Sequence, residues 1–280
     1  MSPETVSPPV SNPIFILGSG QRTGSTLVQR LLASHPRVLI WGEQAGAIAR
    51  ILAAVDSLRE WATRDGAVGR DEYEMLSNNG FIANMTPPPD NIDEAARALF
   101  ETMYAKPAVA AGRSVWGFKE VRYGLIEATS LIRLFPGARI VHLIRDPRQV
   151  ASSVDEWERN RPAVWTRADS EATIAFWRYV ASSLLSLDGR LREAVARFRY
   201  EDLLLDPDRF VQRLATHCGL EPDLIDRDVL SRRIHRDGPK REVPRQLRAW
   251  EQLPADLRAL VTSGGIPEVA TAYGYNFAGL

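Results

Sequence analysis

Apolar residues in this chain come in short blocks separated by stretches of helical spacing. Residues 14–17 (IFIL) form a run too short for a helix, end in Gly18-Ser19-Gly20 and read as a buried strand entering a turn. Residues 25–33 then carry Leu27, Val28, Leu31 and Leu32 at the spacing of one helical face. Residues 38–41 (VLIW) predict a second strand, and residues 43–63 a long amphipathic helix that opens on Glu43. Over residues 64–93 the periodicity is lost, with Asn78-Asn79-Gly80 and Pro87-Pro88-Pro89 as breakers, so an insertion outside the core, placed to act as a lid, is expected there. Regularity returns with a strand over 115–121 (VWGFKEV), a helix over 125–135, a strongly apolar strand over 139–144 (RIVHLI) and a helix over 147–160. A long helical pattern over 171–197, a strand at 198–201 and a helix over 208–218 follow. Strands alternating with helices through short connections predict an α/β fold of three layers, a mostly parallel central sheet covered by helices on both faces.

Composition narrows the class further. At 280 residues, 45% hydrophobic and 25% charged, the chain is too apolar for disorder, and at about 150 residues per domain it holds one large domain or two small ones. One domain over 13–280 is expected, preceded by a disordered-looking, proline-rich leader, residues 1–12. Thirty-five basic residues balance 35 acidic ones, so no global field draws the protein to nucleic acid or an anionic membrane, and any anion binding must be local. The lone Cys218 excludes an internal disulfide and a cysteine-rich metal site, and fits a reducing compartment. With neither a secretory signal nor an apolar run of about 20 residues, a cytoplasmic location is expected. Nearly all basic residues are arginine; the lysines are Lys106, Lys119 and Lys240, which makes each a candidate for a specific role.

The first strand-to-helix junction, Gly18-Ser19-Gly20-Gln21-Arg22-Thr23-Gly24-Ser25-Thr26, combines glycines, hydroxyls and one arginine at a helix start. Free N–H groups and the partial positive charge of a helix N-terminus, approached through glycines, make a phosphate cradle. The loop is not of the Walker type, because Ser25 stands where that pattern needs lysine and Ser19 where it needs its first glycine. No aspartate at a strand end offers itself as a magnesium ligand except Asp146, which Pro147 follows directly and which reads more simply as a helix cap. The run from Arg145 to Ser153 repeats the same logic, with Ser153 eight residues, about two helical turns, after the arginine. In a parallel sheet both junctions open on one edge, so the two anion sites would share one ligand, a nucleotide with phosphates at both ends of its ribose.

These segments resemble the PAPS-dependent sulfotransferases. GSGQRTGSTLVQRLL is similar to the 5′-phosphosulfate loop of that family, Arg145 to Ser153 to its 3′-phosphate motif, and Phe198-Arg199-Tyr200-Glu201-Asp202-Leu203 to its later strand and turn. The resemblance implies a P-loop-like fold and transfer of a sulfuryl group from 3′-phosphoadenosine 5′-phosphosulfate to a hydroxyl acceptor, with no metal. It places Arg22 beside the bridging oxygen, Thr23, Gly24, Ser25 and Thr26 at the 5′-phosphate, Arg145 and Ser153 at the 3′-phosphate, and Tyr200 near the adenine. Glu43 falls where carbohydrate- and tyrosine-directed members keep their base; a carboxylate merely stabilised by a helix dipole is the alternative. Lys119 is expected to stabilise the sulfuryl group or orient the acceptor. Lys240 lies in the basic loop Arg236-Asp237-Gly238-Pro239-Lys240-Arg241, where the family closes over the 3′-phosphate with a glycine-rich form that is absent here; a ligand of that phosphate and a solvated charge are its two readings. Tyr200 and Arg145 also have plain structural readings, as a strand tyrosine and a solvated arginine, and His142 reads as a core histidine. Trp157, Trp165 and Trp177 are either core or the wall of a pocket for a small-molecule, sugar or lipid acceptor. A magnesium-dependent P-loop kinase and a nucleotide-binding regulatory protein remain as rival functions.

Overall fold

The computed structural model describes residues 12–231 and 249–277, so all but the last residue of the expected leader lies outside the described residues. Five strands, β1 (Ile14–Gly18), β2 (Val38–Trp41), β3 (Val115–Glu120), β4 (Arg139–Ile144) and β5 (Val195–Arg199), form one sheet in the order β2-β3-β1-β4-β5. Every pairing in it is parallel. All of β1 is buried, as expected of a central strand covered on both faces. Phe15 and Leu17 face one side with Trp116, Phe118 and Ile140, while Ile14 and Ile16 face the other with Val141, Leu143 and Phe198.

Helices α1 (Ser25–Ser34) and α11 (Pro207–Cys218) close the Ile14 face. Helices α2 (Ala47–Thr63), α4 (Pro89–Phe100) and α6 (Leu125–Leu134), with the short α5 (Lys106–Ala110), close the Phe15 face. A third apolar cluster joins Ile144 to α7 (Pro147–Asn160), α8 (Arg167–Ser183), α12 (Ala255–Val261) and α13 (Ile266–Ala272). Among the described residues no helix is long and apolar enough to cross a membrane. From β1 the chain winds toward β2, and after β3 it crosses to the β4 side, so the carboxyl ends of β1 and β4 flank the change of direction where open α/β sheets bind ligands.

Four regions depart from the sequence reading. Residues 64–93 are irregular only in part: α3 (Asp65–Leu76) and the start of α4 take up the two ends of the stretch. Helix α3 packs through Gly66 and Gly69 rather than through an apolar stripe, which is why no periodicity shows. Helix α4 is anchored, because Asp93 accepts from Arg59 of α2 and Arg133 of α6, and Arg133 also reaches Asp56. The helical pattern of 171–197 is broken: α8 begins earlier, capped by Thr166 and Asp169, and the short α9 (Gly189–Ala194) starts at a glycine with φ 46°. Strand β5 therefore starts and ends earlier than expected, and Tyr200 opens the short helix α10 (Tyr200–Leu205) instead of lying in the strand. Finally, α2 begins at Ala47, which leaves Glu43 in the preceding loop.

Candidate active site

The loop from β1 to α1 turns through three residues in the left-handed region, Gly20 (φ 76°), Arg22 (φ 64°) and Gly24 (φ 88°). Glycine is required twice over. A Cβ at Gly20 would press on the backbone of α8 at Thr173 and Trp177, and one at Gly24 would run into the Tyr200 ring. Helix α1 carries no side-chain cap and no acidic residue in its first turn, so its positive end is left to whatever enters from outside. Ser25 and Thr26 line the cavity in front of it. Behind the loop the Ser19 hydroxyl is buried with no hydrogen-bond partner among the described residues. The Thr23 hydroxyl, buried, donates to the Gly20 carbonyl (3.1 Å) and braces the loop from inside.

A non-glycine residue at positive φ costs about 1–2 kcal/mol, and the contacts at Arg22 offset it. Arg145 Nη1 donates to the Arg22 carbonyl (3.0 Å), and Arg22 Nε donates to Ser153 Oγ (3.1 Å). The Arg22 guanidinium also lies over the Trp157 ring at 4.3 Å, and Arg161 lies against the same indole at 4.5 Å. Ser153 and Trp157 are one turn apart on α7, so a single helix face grips Arg22. Sequence reasoning assigned Arg22 and Ser153 to opposite ends of a nucleotide; here they touch.

At the tip of β4 the helix start is closed from within. Asp146 caps α7 by accepting from Arg148 N (2.9 Å), with proline at the first helical position as expected, and the Arg148 side chain pairs with both carboxylate oxygens. Arg145 is buried, its carbonyl accepts from Trp177 Nε1 (2.8 Å), and its guanidinium lies over the Tyr200 ring at 4.6 Å. Since the same ring closes on Gly24, Tyr200 touches both loops at once. That contact sets it apart from a tyrosine merely buried in a strand.

Glu43 faces the same space from the β2 side. Its carboxylate is paired with the buried Lys119 of β3 and with Arg122 Nη1 (3.2 Å). Arg122 in turn binds Glu120 (2.7 Å), a fully buried carboxylate that also accepts from Gly46 N (3.0 Å) and Val121 N (2.8 Å). The first amides of α2 are thus met by Glu120 and by the Tyr123 hydroxyl, which accepts from Ala49 N (3.1 Å). Glu43 caps nothing, so stabilisation by a helix dipole does not explain it.

One cleft of about 300 Å³ is lined by Arg22, Gly24, Ser25, Thr26, Glu43, Arg145 and Tyr200, together with Gln21, Leu27, Trp157 and Trp165. Thr23, Ser153 and Lys119 stand behind that lining, and Lys240 lies outside the described residues. Trp177 is core. His142 is core too: its ring nitrogens meet the Leu17 carbonyl (3.3 Å) and the Tyr273 hydroxyl (3.1 Å), and burial brings its pKa down to about 4. Among the described residues no cluster of three or more His, Cys, Asp or Glu is gathered to hold a metal ion. Arg122 was missed in the sequence, although a basic residue just past a strand that ends at the binding edge was signal enough. Gln21 and Leu27 gave none.

The sulfotransferase family profile matches residues 13–224, and the chain belongs to that family. The fold is shared with the sulfotransferase domain of the Synechococcus PCC 7002 olefin synthase (TM-score 0.51, 21% identity, 97% of this chain and 98% of that one). It is also shared with the sulfotransferase domain of the curacin biosynthetic pathway (TM-score 0.50, 17% identity, 96% and 99%). A Caenorhabditis briggsae sequence named "Putative protein-tyrosine sulfotransferase" is 23% identical over 209 residues, which is 74% of this chain. The chain spans 66% of that relative's length.

Proposed function

We propose that this protein transfers a sulfuryl group from 3′-phosphoadenosine 5′-phosphosulfate to a hydroxyl acceptor, with Glu43 as the base. The observation that carries the reading is the adjacency of the two loops: β1 and β4 are hydrogen-bonded neighbours, and the residues past their ends line one cleft with Glu43. The donor fits these residues. Gly24 lets the Tyr200 ring close on the loop; at the uncapped start of α1, Ser25 and Thr26 would receive the 5′-phosphate, and the Arg145 guanidinium, with Ser153 behind it, would receive the 3′-phosphate. Bound there, the donor supplies an activated sulfuryl group and leaves as the bisphosphate. Arg22, held at the seam between the loops by Arg145, Ser153 and Trp157, brings positive charge to both phosphate ends. Glu43 takes the proton of the acceptor hydroxyl, oriented for this by Lys119 and Arg122.

The acceptor is a hydroxyl compound: a small molecule, a sugar, a lipid or, by analogy with the name of the nematode relative, a tyrosine. Trp157 already carries two guanidinium groups, so Trp165 is the better aromatic wall for it. A reducing, cytoplasmic setting agrees with Cys218, which is unpaired, buried and has its thiol pKa pushed up to about 12 by that burial.

Two measurements test the reading. Adenosine 3′,5′-bisphosphate is expected to bind tightly in the presence of a chelator; a magnesium-dependent preference for ATP would overturn the proposal in favour of a kinase. Glu43→Gln should keep that affinity while kcat for sulfuryl transfer falls on the order of 10²-fold or more. An unchanged rate removes Glu43 from the mechanism, and a wild-type protein that binds the bisphosphate but transfers nothing to a panel of alcohols supports a regulatory role instead.

A further inference from the structure

The turn after β5 gives Tyr200 to the cleft, and the next residue, Glu201, has no part in the chemistry above. Both of its carboxylate oxygens are engaged. Oε1 accepts from the backbone N–H of Asp146 (2.9 Å), and Oε2 accepts from the Tyr275 hydroxyl (2.8 Å). That N–H belongs to the residue following Arg145, so one side chain ties the tip of β4 to the tip of β5, and both to the C-terminal segment. The segment is itself well anchored. Tyr275 is buried with the Arg199 guanidinium over its ring at 4.3 Å, and Tyr273 donates to the Ala181 carbonyl (2.9 Å). Phe277 lies against Arg148 at 4.6 Å, the same arginine that pairs with Asp146. Burial and the neighbouring Glu201 charge push the Tyr275 pKa far up, so its hydroxyl keeps its proton and donates.

We propose that Glu201 and Tyr275 form a latch that holds Arg145 and Tyr200 in register, and that they are positioning residues for recognition of the donor's 3′-phosphate. Arg145 and Tyr200 come from different strands, and their stacking is productive only if the two tips keep a fixed offset. The bond from Asp146 N to Glu201 fixes that offset one residue beyond each partner. A carboxylate this close to an anion site would ordinarily repel the anion. Here each oxygen accepts from a fixed donor, and Asp146 is likewise occupied by Arg148, so the negative charge is held away from the cleft. Tyr275 lies beyond residues 13–224, the stretch that matches the family, so the latch depends on a part of the chain outside that match.

The inference rests on the donor reading, and its test keeps the two apart. Affinities of the full chain for adenosine 3′,5′-bisphosphate and adenosine 5′-phosphate are measured by titration calorimetry, and their ratio reports 3′-phosphate recognition. Glu201→Ala should cut that ratio on the order of tenfold, and Tyr275→Phe several-fold, with affinity for the monophosphate little changed. Glu201→Gln, which keeps an acceptor for the Asp146 N–H, should restore most of it. An unchanged ratio, or equal loss for both ligands, overturns the latch. Should Glu201→Ala fail to fold, Tyr275→Phe decides, because it keeps the ring beneath Arg199. If the wild-type ratio is near one, the donor reading fails, and the latch is judged by hydrogen exchange of the Asp146 amide in the ligand-free protein. Faster exchange in either variant upholds it as a structural tie, and unchanged exchange overturns it.

Discussion

On the proposed function, the two loops that border the cleft would receive anions by opposite means. After β1 the backbone does the work: glycines at positive φ, a helix start with no side-chain cap and no acid in its first turn. After β4 the helix start is already capped by Asp146, which takes the Arg148 amide and stabilises α7 by about 1 kcal/mol. Affinity there has to come from side chains, Arg145 with Ser153 behind it. The difference teaches that one motif, strand then turn then helix, can be built for two kinds of recognition. A backbone cradle takes any tetrahedral anion that fits, whereas a guanidinium held on a tyrosine ring asks for an anion at one particular place.

Substitutions at the two loops should therefore fail differently. The largest effect is expected from Gly24→Ala, which puts a side chain at φ 88° and against Tyr200. Binding of both adenosine 3′,5′-bisphosphate and adenosine 5′-phosphate should drop by about 10²-fold or more, since α_L strain and the clash act together on the shared loop. Retained affinity for either nucleotide would break the comparison. Arg145→Gln should instead be selective, lowering affinity for the bisphosphate by roughly 10- to 100-fold while leaving the monophosphate nearly unchanged, the scale of a lost charge-assisted hydrogen bond. Equal losses for both ligands would mean that Arg145 supports the fold of the first loop through the Arg22 carbonyl, not the second anion site.

A smaller effect concerns the seam between the loops, where His142 of β4 bonds to the Leu17 carbonyl of β1. Burial lowers its pKa from 6.5 to about 4, so between those values the unfolded chain binds a proton that the folded chain does not. Stability from this group is present above pH 6.5 and declines as the pH falls toward 4, by at most about 1.4 kcal/mol per pH unit. Chemical denaturation from pH 7 to 4.5 should show that slope, and His142→Gln should flatten it; an identical slope in the variant would assign the acid sensitivity to other groups, such as His35 and His217, whose pKa values burial also lowers.

Much of this was legible in local patterns. The strand 139–144 and the helix 147–160 agree with β4 and α7 at both ends, because an apolar run followed by Asp-Pro states where the strand stops and the helix starts. The helices within 64–93 were not legible, because α3 buries glycines against a neighbouring loop and the start of α4 is secured by Asp93 and two arginines from distant helices, while its apolar contacts, Ala96 and Phe100, lie beyond residue 93. In the site, the glycines, hydroxyls and arginines of each loop could be read singly. Their partners could not.

The sequence by itself determined the alternation of strands and helices, both strand-tip loops and the residue types they present, since these follow from spacing within a few turns of chain. Only the tertiary structure decided that Arg22 rests on Ser153 and Trp157, that Tyr200 joins both loops, that Lys119 and Arg122 hold Glu43, and that Tyr275 reaches Glu201. Each of these contacts joins residues more than 40 positions apart, and such pairs meet only once the order and register of the strands bring them together, a choice no local pattern encodes.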